Sequence, residues 1–148
     1  MNNNLSETDK QVVEKILYTL KLSAKPSKNP TVHFIVAPPG AGKTGLEVYL
    51  NNEMLAQSED TLKIGSDKLA TYHPEYNNWI QLSPDECYAV SRDFTVPASE
   101  IIYEDLRKNK FNMLFEKTFH KGTSDLEFVK KFKDAGYNVI IDVMATDK

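Results

Sequence analysis

Lys43 and Thr44 close the run Ala37, Pro38, Pro39, Gly40, Ala41, Gly42, an order of residue types suited to holding a chain of phosphates. Phosphate oxygens need a ring of backbone N–H groups at a helix N-terminus. Gly40 and Gly42 let the backbone turn and approach where a Cβ would intrude. The Lys43 ammonium would reach the terminal phosphates, and the Thr44 hydroxyl would take one position on a magnesium ion. The pattern is GxxxxGK followed by Ser or Thr, with Ala37 in the first glycine position. A Pro/Gly turn could join a strand to a helix with no ligand at all, but a chance match in a chain of this length is on the order of one in a hundred. The apolar run 32–36 before it and the helix-like segment 45–55 after it supply the required context. Nucleotide binding through residues 38–44 is the expectation.

Two carboxylates are placed to work beside that cradle. Residues 61–65 alternate weakly, as a short strand does, and deliver Ser66 and Asp67 at its C-terminal end, where open α/β sheets put their ligands. Residues 111–116 form an apolar run closing on Glu116, the form expected of the strand beside the one that enters the cradle. Each has a purely structural alternative: Asp67 as a helix N-cap, Glu116 as a solvated strand end. Asp142, after Val139, Ile140 and Ile141, resembles a Walker B tail but is set aside, because that carboxylate should end the strand beside the cradle strand, here the one ending in Glu116, and Asp142 lies inside a later strand with Val143 and Met144 still to come. His73 reads as a loop residue that helps position Tyr72 and a substrate wall.

The elements that must hold these groups follow from periodicity and caps. Val12, Val13, Ile16, Leu17 and Leu20 give a helix over 6–22, with Ser6 and Asp9 as a capping box. Residues 25–30 are a linker. Residues 71–79, with Pro74, read as loop or broken helix, and Trp79 as cover for the core's edge. Ser83, Pro84 and Glu86 start a helix that runs to about Phe94, and Pro97 opens another through Leu106. Ser124 and Glu127 cap a helix stopped by Gly136, and residues 138–144 are a last strand, apolar enough to be covered on both faces. Strand and helix alternate, so the fold class is α/β: a P-loop NTPase/kinase-like parallel sheet of about four strands flanked by helices, preceded by an N-terminal helix. Residues 1–30 are that helix and its linker, and 31–148 the P-loop kinase-like domain.

Composition bounds the rest. The 148 residues are 41% hydrophobic and 26% charged, as in an ordinary globular domain. A net charge of -3 gives no broad basic footprint, so nucleic acid is not an expected partner. Cys87 is alone, and His33, His73 and His120 are scattered, which leaves no disulfide and no Cys/His metal cluster. With no basic-then-apolar leader pattern and no apolar run of spanning length, the expected location is cytoplasmic and no membrane partner is expected.

Taken together, APPGAGKT, IGSDKLATYHPEY, NMLFEKT and NVIIDVMA occur in an order that resembles the zeta toxin family, over residues 32–145. The resemblance implies a kinase that uses ATP or GTP with magnesium to phosphorylate the 3′-hydroxyl of UDP-N-acetylglucosamine, and several members are the toxin of a toxin–antitoxin pair. It implies Asp67 as general base, Lys43 on the transferred phosphate, Glu116 and Thr118 on the sugar nucleotide, and His73 of the His-Pro pair at the substrate. An antitoxin protein is then an expected partner. One departure matters. Related kinases neutralise the transition state with arginines from a lid after the fourth strand, while this chain's only arginines are Arg92 and Arg107, both expected on helices before the third strand and in surface roles. The expectation is a domain C-terminally incomplete that binds nucleotide but turns over about three to five powers of ten more slowly. Two alternatives stay open: a non-catalytic nucleotide-binding or interaction module, and a P-loop kinase for another small hydroxyl compound such as an antibiotic or nucleoside.

Overall fold

Val32, Phe34, Leu62, Met113 and Phe115 are buried, and the strands that carry them lie side by side. The structure, a computed structural model, describes residues 5–36, 61–117 and 122–143. Its strands are β1 (Thr31–Val36), β2 (Thr61–Lys63), β3 (Asn112–Lys117) and β4 (Asn138–Val143). They form one parallel sheet in the order β2-β3-β1-β4. Its helices are α1 (Glu7–Ser23), α2 (Ser66–Ala70), α3 (Tyr76–Trp79), α4 (Pro84–Lys108) and α5 (Thr123–Asp134). The chain groups into two compact units, one of Met1–Ser23 with Ile64–Leu106, the other of Ala24–Lys63 with Arg107–Lys148.

The second unit is the sheet with α5. Side chains alternate along each strand, so Phe34 and Phe115, aligned across β1 and β3, share one face. Their rings stack at 5.7 Å, and Phe128 and Phe132 of α5 meet them edge-on or tilted at 5.2–6.0 Å. Each such pair adds about 0.5–1.5 kcal/mol beyond the area it buries. The stop of α5 is as expected from Gly136: its φ of 88° is one that a side chain resists, Gly136 N–H donates to Lys133 C=O at 3.1 Å, and Tyr137 N–H to Phe132 C=O at 3.0 Å. Tyr137 then packs edge-on against Phe132 at 5.1 Å and donates its hydroxyl to Phe111 C=O at 2.7 Å. The start of α5 differs from expectation. Gly122 occupies the N-cap, and no side chain caps the helix, because it begins one residue before Ser124. The two-sided cover expected of β4 is also not found. It pairs only with β1 among the described residues and leaves Ile141 48% and Val143 72% exposed.

In the first unit, α1 buries Val12, Val13, Ile16 and Leu20, the stripe that its 3.6-residue period predicts. Ser6 caps it, accepting from Asp9 N–H at 3.1 Å, but the Asp9 carboxylate does not complete the expected box and turns elsewhere. Lys21 of α1 pairs with Asp105 of α4 at 2.6 Å. Where two helices were expected, α4 is continuous over 25 residues with Pro97 inside it. The reason is its buried face: Ser91, the pair Phe94 and Thr95, Ala98, Ile102 and Leu106 follow one another at helical spacing straight through the proline. Packing along that stripe outweighs the hydrogen bond that Pro97 cannot donate. Ser83 caps the helix as expected, accepting from Glu86 N–H at 3.3 Å.

Candidate functional site

β1 ends at Val36, so the chain leaves the middle of the sheet directly into Ala37. The cradle itself, Pro38, Pro39, Gly40, Ala41, Gly42, Lys43 and Thr44, lies outside the described residues, as do Thr118 and His120. What the structure describes is the C-terminal ends of the parallel strands, β1 among them. Ile35 of β1 is aligned with Glu116 of β3 on one side and with Asp142 of β4 on the other. Aligned positions in parallel strands project to the same face, so the two carboxylates flank the strand that enters the cradle, about 10 Å apart by backbone spacing. Glu116 is exposed.

That register corrects the reason for setting Asp142 aside. The strand that carries it is a direct neighbour of β1, just as β3 is. Asp142 is also chemically unsettled: its Oδ2 is buried with no hydrogen-bond partner, and His33 Nε2 stands 3.8 Å away, too far for a hydrogen bond. His33 Nδ1 is likewise buried and unpartnered. Two orphan polar atoms beside the cradle strand are a place that a water molecule or ligand group would satisfy. Sequence reading passed over His33, because a histidine inside an apolar run has no local signature of the partner it meets across a strand.

In the first unit, Asp67 falls in the first turn of α2 and is exposed. The capping alternative does not hold, since the N-cap is Gly65 and no side chain makes a capping bond there. Its carboxylate makes no capping hydrogen bond and stands in the first turn, where the helix N-terminus favours negative charge. His73 is deeply engaged: Nε2 lies 2.8 Å from Asp9 Oδ1, and Nδ1 accepts from Glu75 N–H at 3.0 Å. Trp79 stacks on its ring at 4.5 Å and Phe94 leans on it at 4.7 Å. Both ring nitrogens are thus occupied, and His73 holds its segment together rather than presenting an atom outward. Arg92 lies over the Tyr88 ring at 5.6 Å and Arg107 over Phe132 at 5.5 Å, packing roles within their own units.

Comparison with known proteins bears on this arrangement. A family model described as Zeta toxin matches residues 14–148. A solved structure from the molecular and structural characterisation of the PezAT chromosomal toxin-antitoxin system of the human pathogen Streptococcus pneumoniae superposes with a TM-score of 0.81 at 23% identity. That match covers 98% of this chain and 59% of the other. No curated protein sequence matches the chain. At that identity the likeness carries the fold, a P-loop kinase-like α/β sheet with an N-terminal helix.

Proposed function

The chain belongs to the zeta toxin family, and from that premise we propose that it binds ATP or GTP with magnesium and transfers the γ-phosphoryl group to the 3′-hydroxyl of UDP-N-acetylglucosamine. The observation that carries the reading is the placement of β1, the strand that precedes the APPGAGKT sequence, between two strands that each bring a carboxylate to the level of Ile35. Lys43 and the backbone N–H groups of residues 40–44 hold the phosphates, with Pro38 and Pro39 shaping the turn before them, and Thr44 takes a position on magnesium. The Thr44 hydroxyl would hold that ion, which would supply charge neutralisation at the phosphate oxygens. Glu116 orients the groups around that charge, with Thr118 two residues on holding the sugar nucleotide.

Asp67 acts as the base. A carboxylate accepts the hydroxyl proton as the acceptor oxygen bonds to the γ-phosphorus and the β–γ bridging oxygen departs with its electron pair as the diphosphate. Its exposure and its freedom from capping support that role. In the cell we place the protein in the cytoplasm as the toxin of a pair restrained by an antitoxin protein. Among the described residues no helix is long and apolar enough to cross a membrane.

Incubating the protein with ATP, magnesium and UDP-N-acetylglucosamine tests the substrate by phosphorus NMR. A new phosphomonoester resonance is expected, and its absence with the nucleotide bound would sink the sugar-nucleotide assignment. Asp67→Asn should lower turnover by about 10²- to 10⁴-fold, the usual worth of a general base. A second reading, nucleotide binding without turnover, draws on the two arginines: both are held over aromatic rings. In that case Lys43→Ala weakens ATP binding with no activity to lose.

A further inference from the structure

We propose that Asp9 and His73 are positioning residues for Asp67, so that the N-terminal helix α1 helps to set the catalytic base. The inference rests on the reading of Asp67 as that base. A backbone N–H can only donate, so the Glu75 N–H at 3.0 Å requires His73 Nδ1 to be the bare acceptor nitrogen. The ring proton therefore sits on Nε2 and is donated to Asp9 Oδ1 at 2.8 Å. With Trp79 stacked at 4.5 Å and Phe94 at 4.7 Å, one imidazole ties together α1, the turn at Glu75, α3 and α4.

The backbone transmits that anchorage to Asp67 without slack. Thr71 N–H donates to Lys68 C=O, Tyr72 to Leu69, and His73 to Ala70, at 3.1–3.2 Å, while Tyr76 N–H returns to His73 C=O at 3.0 Å. Consecutive turns thus run from α2 into α3, and Leu69 and Ala70 are buried beneath them. Asp67 stands at one end of this hydrogen-bonded run and the His73 clamp at the other. Asp9 is available for the clamp because Ser6 alone caps α1. It also lies upstream of residue 14, where the match to the family model begins, so the partner of His73 is not supplied by the matched segment.

The test compares Asp9→Ala, Asp9→Asn and His73→Gln in the full chain. Asn at position 9 keeps an acceptor oxygen, and Gln at position 73 keeps a donor near the Nε2 position. Asp9→Ala is expected to lower kcat about ten- to a hundredfold, as a small displacement of a reacting group does, with the nucleotide Kd unchanged. Asp9→Asn is expected to retain most of the activity that Asp9→Ala loses, whereas His73→Gln, which keeps a donor but loses the Nδ1 acceptor and the ring packed on Trp79 and Phe94, should fall with Asp9→Ala. Hydrogen exchange over residues 66–73 gives a readout independent of turnover: it should quicken about tenfold or more in Asp9→Ala and return in Asp9→Asn. Unchanged kcat with unchanged exchange in that segment, or a lower Tm alone, would overturn the proposal and leave Asp9 a simple staple. Asp67→Asn separates the two claims. If it keeps full turnover the base assignment fails by itself, whatever the exchange data show about the clamp.

Discussion

Tyr137 is a residue whose burial favours its neutral form. Burial pushes its phenol well above the usual value near 10, even with Arg107 pulling the other way, and its hydroxyl donates to Phe111 C=O. The folded protein therefore keeps this proton where the unfolded chain gives it up. Its contribution is fully present below pH 10 and is lost as pH rises beyond it. Tyr137→Phe should cost about 1–2 kcal/mol at neutral pH by leaving that carbonyl unpaired, and urea titrations at pH 8 and pH 11 should show a shallower alkaline loss than in the parent protein. Asp142 is the opposite case, a strand residue with a buried oxygen that nothing satisfies. Asp142→Val should raise stability by about 1 kcal/mol; a lower urea midpoint would mean that the 3.8 Å approach of His33 is stabilising. The place of Glu116 on a strand beside β1 could be read from the sequence, because an apolar run closing on a carboxylate is written in contiguous residues. The His73–Asp9 contact could not, since 64 positions separate the partners and neither has a local pattern that names the other.

Elements were legible to the extent that their hydrophobic period agreed with their punctuation. In α1 the two agree, and the helix falls within a residue of its expected ends. In α4 they conflict. The proline indicates a break, the buried stripe runs on, and the stripe prevails. Because an interior proline is tolerated there at a cost, Pro97→Ala should stabilise the protein by about 1–3 kcal/mol, read as a higher urea midpoint. An unchanged or lower midpoint would show that the helix depends on the proline's ring. At the end of α5 the punctuation is correct and needed: Gly136→Ala forces a side chain into φ 88° and should cost about 1 kcal/mol or more. Strand β4 shows the limit of composition, for an apolar run states that a strand can be covered, not what covers it.

For the molecule as a whole, the alternation of elements was enough to give a parallel sheet, and the apolar run before Glu116 was enough to put β3 beside β1. That β4 flanks the other side of β1 was not legible, because strand order depends on crossovers whose placement the strands themselves do not encode. If the cradle works as proposed, the Tm of the protein should rise with ATP and magnesium, corresponding to about 2.7 kcal/mol at a hundredfold excess over Kd, and Lys43→Ala should abolish the shift. A rise that survives this change would locate nucleotide elsewhere. The central place of β1 also constrains how the chain is made. Val32 is aligned with Met113 and Val139, so neither neighbour of β1 exists when β1 leaves the ribosome. At about 5–20 residues per second β1 waits roughly 4–16 s for β3, with Val32, Phe34 and Ile35 exposed along a bare strand. Synthesis in the cell therefore passes through an interval in which this apolar segment has no strand partner, and refolding from denaturant should be slow and concentration-sensitive.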